Sequence, residues 1–126
     1  MDEKKECLCQ PIETLVFACS GGSNVGQIAN QAAVELTKER QGKLFCLAGI
    51  GGHVSGIVEA TKAAKRLVAI DGCPVKCAKK TLEQSGFNPD VLVVVTDLGI
   101  EKIAGPTFKA EDCKTVVNKV KEKLGA

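Results

Sequence analysis

The chain has 126 residues, of which 44% are hydrophobic and 25% are charged, as in one soluble globular domain. The net charge of +2 and an aromatic content of 3%, without Trp or Tyr, argue against a surface that binds nucleic acid. We therefore predict no nucleic-acid partner. No apolar run approaches the length that crosses a bilayer, so we predict no membrane association either.

The first residues are polar and contain the short element Cys7-Leu8-Cys9 before Pro11. They lack the apolar stretch of a signal peptide, so we expect a cytoplasmic protein, in a compartment that keeps thiols reduced. We interpret residues 1–11 as a flexible tail and residues 12–126 as a single domain.

Predicted strands and helices alternate after the tail. Each strand is a short apolar run, and the first of them ends in a turn rich in Gly and Ser. Each helix shows an apolar stripe or a capping signal. The predicted strands are 14–18, 43–48, 67–70 and 91–95. The predicted helices are 25–36, 53–65, 73–85 and a last one from about Ala110, with an irregular segment at 96–106 that has a short helical turn near Ile100.

This alternation predicts an α/β fold, a doubly wound, Rossmann-like domain with a four-stranded parallel sheet and helices on both faces. Right-handed crossovers leave few topologies, and we predict the strand order 2-1-3-4. In such a sheet, sites form at the carboxyl ends of the strands, near the point where the strand order reverses.

The chain contains seven cysteines, an odd number. In a reducing compartment, this number indicates metal binding, catalysis or core packing rather than a framework of disulfides. Cys113 falls on the apolar stripe of the last helix, so we interpret it as a core residue.

The predicted topology brings four of these cysteines to one edge of the sheet. Cys19 follows the first strand, Cys46 lies near the end of the second, and Cys73 and Cys77 follow the third. Four thiolates are a preferred ligand set for zinc, so we predict a zinc site formed by these residues. His53, beside the second Gly-rich loop, is interpreted as a loop or cap residue rather than a ligand.

Two alternatives remain open at this point. In the first, the protein is a thiol-dependent redox or sulfur-transfer enzyme, in which Cys19 or Cys73 is the nucleophile and Cys77 resolves a disulfide. Cys7 and Cys9 would then pass electrons to that centre. In the second, the domain is an interaction module that the metal only stabilises.

The loop that follows the first strand is similar to an anion cradle, because Gly and Ser residues precede a helix start. Low-molecular-weight tyrosine phosphatases use a loop of this general kind, closed by an arginine. No arginine is present in the corresponding stretch of this chain. Phosphatase chemistry is therefore not predicted.

The sequence resembles the DGC-domain family at Asp71-Gly72-Cys73 with Cys77, at Cys19-Ser20-Gly21 and at Cys46. The family comprises small proteins described as having four zinc-binding cysteines. The resemblance implies zinc as the cofactor and Cys19, Cys46, Cys73 and Cys77 as its ligands. It does not imply any particular reaction.

Overall fold

The sheet has four parallel strands in the order β2-β1-β3-β4, as the sequence predicts. The computed structural model describes residues 13–125, so the predicted tail lies outside the described residues. Strand β1 is central, and its residue Val16 pairs with Leu44 on one side and with Val68 on the other. The strands are β1 (Thr14–Ala18), β2 (Lys43–Leu44), β3 (Arg66–Asp71) and β4 (Val91–Val94).

Helices cover both faces of the sheet, which confirms the doubly wound α/β fold. They are α1 (Asn24–Lys38), α2 (Leu47–Gly51), α3 (Ser55–Ala63), α4 (Cys77–Gln84) and α5 (Ala110–Leu124). A 3-10 turn at Val95–Leu98 follows β4. Among residues 13–125, no helix has the length and apolar character that a membrane span requires.

Two apolar layers hold the helices on the sheet, and alternate residues of β1 face each layer. Val16 and Ala18 pack with the buried stripes of α1 and α5. Leu15 and Phe17 pack against α2 and α4, with partly buried residues of α3 beside them. Because successive side chains of a strand point to opposite faces, one buried strand anchors both layers.

Strand β2 is shorter than the predicted run 43–48. It ends at Leu44, although Phe45 still donates a backbone hydrogen bond to Val16 at 2.9 Å. Cys46 then caps α2, and its thiol accepts a hydrogen bond from the Gly49 N–H at 3.2 Å. The prediction of a longer strand was wrong because a short apolar run suits a helix start as well as a strand.

The predicted helix 53–65 begins later, at Ser55, and a separate short helix precedes it. His53 lies between the two with φ of 57°, a left-handed conformation that a helix interior does not allow. His53 is an exposed turn residue, in agreement with its interpretation as a loop residue.

The predicted helix 73–85 begins only at Cys77. Cys73 and Pro74 lie in a turn, in which the Lys76 N–H donates to the Cys73 carbonyl at 3.1 Å. Lys76 has φ of 59°, a left-handed conformation, so the right-handed helix cannot extend back through this residue toward Cys73. The predicted start of this helix at residue 73 was therefore wrong, and so was the predicted short helical turn near Ile100, since the turn lies at Val95–Leu98.

Helix α5 begins at Ala110, as predicted. Its buried stripe contains Cys113, Val116, Val117 and Val120, which confirms the interpretation of Cys113 as a core residue.

Candidate functional site

An open cavity of about 490 Å³ lies at the carboxyl edge of the sheet. Three cysteines line it, Cys19 at the end of β1 and Cys73 and Cys77 in the segment that follows β3. The Gly/Ser loop at residues 20–23 and the side chain of Lys102 complete much of the wall. We call this cavity the thiol pocket.

Cys19 follows β1 directly and is partly buried. Its backbone N–H donates to the Ile70 carbonyl at 3.1 Å, which extends the pairing of β1 with β3 by one residue. Its sulfur accepts a hydrogen bond from the Gly72 N–H at 3.2 Å. Burial raises the pKa of the Cys19 thiol, although the backbone N–H groups of Gly72 and Gly21 act in the opposite direction. Cys19 is therefore held in place by a backbone hydrogen bond, and its burial favours the neutral thiol.

Cys73 is partly buried on the turn that follows β3. The Lys102 ammonium lies 3.6 Å from its sulfur. Lys102 therefore places a positive charge beside this sulfur, which stabilises negative charge in the pocket.

Lys102 is held over the pocket by Asn24, the first residue of α1. The Asn24 side chain donates to the Glu101 carbonyl at 2.9 Å and accepts from the Ile103 N–H at 2.7 Å. Asn24 is only 6% exposed, so the amide end of these two part-buried bonds is shielded from water. The side chain of one helix residue thus fixes the backbone on both sides of Lys102.

Cys77 is exposed and is the first residue of α4. The start of this helix is fixed by the buried carboxylate of Asp71, which accepts from the N–H groups of Ala78 at 2.7 Å and Lys79 at 3.0 Å. Burial raises the pKa of Asp71, and these two N–H groups oppose that effect. Asp71 therefore acts as a cap that sets where Cys77 lies.

Two glycines allow the walls of the pocket to approach each other. A Cβ atom on Gly26 would lie 2.6 Å from the Gly21 nitrogen, and one on Gly72 would lie 2.8 Å from the Val25 carbonyl carbon. Neither distance is possible for a real side chain. The Gly/Ser loop, the start of α1 and the turn after β3 therefore pack backbone against backbone.

Cys46 is the predicted ligand that the structure does not place in the thiol pocket. Its thiol is exposed and caps α2, while its neighbour Leu47 lines the pocket.

Cys113 also lies outside the thiol pocket. It lines a larger cavity of about 630 Å³ between α1 and α5, with Glu35 and Val117. Burial raises the pKa of the Cys113 thiol to about 11, and Asp112 and Glu35 add to the effect. That cavity is larger, but it contains a single inert thiol and no cluster of reactive groups.

The thiol pocket offers the donor chemistry of a zinc site but not a finished coordination sphere. Within residues 13–125, no group of three or more His, Cys, Asp or Glu side chains is arranged to hold a metal ion. Three thiols nevertheless line one cavity, and backbone N–H groups already point at one of their sulfurs.

Sequence reasoning missed Lys102 and Asn24. They are 78 positions apart in the chain, and the segment around Lys102 has no helical or strand periodicity that would place it. Asn24 is a polar residue at a helix start, where its type is typical of a cap, but Ser23 supplies the cap and Asn24 binds the distant loop.

The fold and this pocket define a class of protein, a small parallel α/β domain with a cysteine-lined cavity at the carboxyl edge of its sheet. The chain belongs to the DGC domain family, whose model matches residues 15–120. It is 36% identical over 100 residues to the Anaerobic and virulence modulator AnvM of Pseudomonas aeruginosa, across 79% of this chain and 76% of that protein. No solved structure shows a significant match to the chain.

Proposed function

We propose that the thiol pocket binds one zinc ion and that Cys19, Cys73 and Cys77 are three of its ligands. The observation that carries the proposal is the convergence of these three thiols on one cavity, Cys19 from the end of β1 and Cys73 and Cys77 from the segment that follows β3. Zinc prefers cysteine sulfur among protein ligands, and it forms no lasting complex with an isolated thiol at a protein surface.

The surroundings of the thiols support a metal site. Zinc ligands are usually hydrogen-bonded by neighbouring groups that orient them, and the Gly72 N–H does this for Cys19. Lys102 supplies a positive charge beside Cys73, which offsets the negative charge of a zinc–thiolate group.

Binding requires the thiols to draw together. Cys77 is exposed, and Cys73 lies on a turn, so both side chains have room to move toward Cys19. The fourth ligand position is left for Cys46, as the sequence predicts, or for a ligand from outside the chain.

A bound zinc ion would stabilise the carboxyl edge of the sheet, because it would link the end of β1 to the segment that follows β3. We therefore propose a structural or metal-handling role. The name of the Pseudomonas aeruginosa relative describes a modulator, and a regulatory rather than a catalytic role in this chain would accord with that description.

The test is zinc titration of the reduced, metal-free full-length protein with a competing chromophoric chelator. We expect one equivalent of zinc per chain and sulfur-dominated coordination by X-ray absorption. Cys73→Ser/Cys77→Ser should lose tight binding. The matched control is Cys113→Ala, because that thiol lies away from the pocket, and it should bind like the wild type. A wild-type protein that binds no zinc, with all its thiols reduced, contradicts the proposal.

Thiol chemistry is the second candidate, and the contact between Lys102 and Cys73 favours it. Of the two candidate nucleophiles, Cys19 and Cys73, this contact favours Cys73, and the burial that raises the pKa of the Cys19 thiol disfavours Cys19. In the half-reaction that reduces a disulfide substrate, the Cys73 thiolate would attack one sulfur of the substrate and release one substrate thiolate. Cys77 would then attack the mixed disulfide, releasing the second substrate thiol and leaving a Cys73–Cys77 disulfide.

A further inference from the structure

The cavity between α1 and α5, which we call the α1–α5 cavity, takes no part in the proposed zinc site. None of the residues that line it also lines the thiol pocket. Its volume of about 630 Å³ falls within the range of about 300–1,000 Å³ that is typical of pockets for small molecules. The cavity is therefore a second, independent candidate site.

The wall that α5 supplies is apolar. Cys113 and Val117 line the cavity from consecutive turns of α5, and they are only 4% and 5% exposed. Phe108, just before the helix, lines it as well and packs partly buried against the same core layer. Burial of an apolar group against this wall is favourable, so the cavity suits a ligand with an apolar body.

The wall that α1 supplies is acidic. Gln31, Glu35 and Glu39 line the cavity at intervals of four residues, which places them on one face of α1. The Gln31 side chain donates to Oε2 of Glu35 at 2.8 Å and so orients this carboxylate. Within residues 13–125, no hydrogen bond reaches Oε1 of Glu35. This oxygen can accept a hydrogen bond from a ligand.

The electrostatic potential at the apolar wall is negative. Burial is the main reason that the pKa of the Cys113 thiol is raised to about 11, and the negative charges of Asp112 and Glu35 raise it further. No positive charge acts on this thiol in the opposite direction. Glu35 on one wall therefore acts across the cavity on the other.

The lysines near the cavity do not cancel this charge. Lys121 pairs with Glu39 at 2.7 Å. The Lys38 ammonium lies 3.8 Å from Glu35, but the Lys38 side chain is 68% exposed, so solvent weakens the pair. Lys114 lines the cavity from an exposed position and is not among the charges that act on Cys113.

We infer that the α1–α5 cavity binds a small organic cation, an amine whose apolar body carries an aromatic ring system. The ring would lie against Val117 and Phe108, and the ammonium would donate to Glu35. A neutral ligand of the same shape lacks this charge-assisted bond, and an anionic one is repelled by Glu35.

The composition of the chain allows a direct test. The protein has neither Trp nor Tyr, so indole fluorescence reports the ligand alone. Tryptamine, tryptophol and indole-3-acetate share the indole ring and differ in whether the side chain ends in an ammonium, a hydroxyl or a carboxylate. Each is titrated with the reduced, metal-free full-length protein at pH 7, and binding is followed by fluorescence anisotropy. Tryptamine should bind about tenfold more tightly than tryptophol, and indole-3-acetate most weakly.

Two variants assign the binding to this cavity. Glu35→Gln should weaken tryptamine about tenfold and leave tryptophol nearly unchanged, since only the charged bond is lost. Its matched control is Glu59→Gln, because Glu59 also pairs with a lysine three positions along a helix but lies on α3. Asn118→Phe fills the cavity from an exposed position and should weaken tryptamine and tryptophol alike.

The thiol pocket provides the remaining control. Cys73→Ser/Cys77→Ser should bind tryptamine like the wild type, because neither residue lines the α1–α5 cavity. A loss of tryptamine binding in this variant would move the ligand to the thiol pocket and overturn the inference.

Three further outcomes would overturn it. They are the absence of tryptamine binding, indole-3-acetate binding as tightly as tryptamine, and Glu35→Gln binding tryptamine like the wild type. Wild-type dimers that Asn118→Phe converts to monomers would assign the cavity to a second copy of the chain, against a small ligand. None of these results bears on the zinc titration, so the two proposals stand or fall separately.

Discussion

The carboxylate of Asp71 lies 2.7 Å from the Ala78 nitrogen and joins the end of the third strand to the start of the helix that carries Cys77. Asp71 is fully buried and accepts a second bond from Lys79, so it replaces the cap that Lys76 does not provide. Position 71 therefore controls both the stability of the domain and the place of one thiol.

The first prediction concerns this cap. Asp71→Ala leaves two helix N–H groups without an acceptor and should lower the free energy of unfolding by about 2–3 kcal/mol. Urea denaturation followed by circular dichroism measures the change. Asp97→Ala, at an exposed position, is the control and should change stability by less than about 0.5 kcal/mol. Equal stability of the two variants would contradict the capping role.

A second prediction tests the backbone contact beneath the pocket. Gly26→Ala places a Cβ atom 2.6 Å from the Gly21 nitrogen, so the Gly/Ser loop must shift. We expect a loss of about 1–3 kcal/mol in the free energy of unfolding. Gly56→Ala, in α3 with open space around it, should instead be neutral or stabilising by up to about 1 kcal/mol. If both alanine variants gain stability, the close packing has no energetic role.

The third prediction concerns the ammonium beside Cys73. In the metal-free protein, Lys102→Met should slow alkylation of Cys73 by iodoacetamide several-fold, because the cation that attracts the thiolate is lost. Lys102→Arg should largely restore the rate. Peptide mass spectrometry reads each site separately, and exposed Cys46 supplies the internal reference. An unchanged Cys73 rate in Lys102→Met would remove the argument for thiol chemistry.

The fourth prediction is a pH dependence. The pKa of Cys113 is raised from 9.0 to about 11, chiefly by burial, so the folded state favours the neutral thiol. The resulting stabilisation is complete below pH 9 and is lost as pH rises toward 11, since only the unfolded chain releases the proton in that window. The loss amounts to roughly 2–3 kcal/mol.

Cys113→Ala isolates this effect from the titration of lysines. The difference in free energy of unfolding between wild type and Cys113→Ala, measured in urea at several pH values, should fall between pH 9 and 11. A difference that stays constant across this range contradicts the assignment.

The topology could be predicted because each link in it is local or governed by handedness. The buried run of β1 and the stripe of α1 identify their elements by periodicity, and right-handed crossovers then set the strand order. Two of the misplaced helices begin shortly after a residue with an unusual backbone conformation: α3 begins two residues after His53, and α4 begins one residue after Lys76. His53 and Lys76 both have positive φ, and neither residue type indicates this conformation in a sequence as Gly does.

The site could be predicted only where it depends on the strand order. Cys19, Cys73 and Cys77 converge because strand ends converge, and this follows from the strand order alone. Lys102 depends on the side chain of Asn24 binding a loop far along the chain, a tertiary contact without a local pattern. The sequence predicts Cys46 in the second strand, whereas the residue is the N-cap of α2.

The brevity of β2 also affects how this molecule meets others. A two-residue strand at the border of the sheet exposes few free N–H and C=O groups, so it is a poor template on which another chain could continue the sheet. Repeated addition of strands from other molecules is therefore unfavourable at β2. We expect any association of copies at this edge to depend on side-chain contacts.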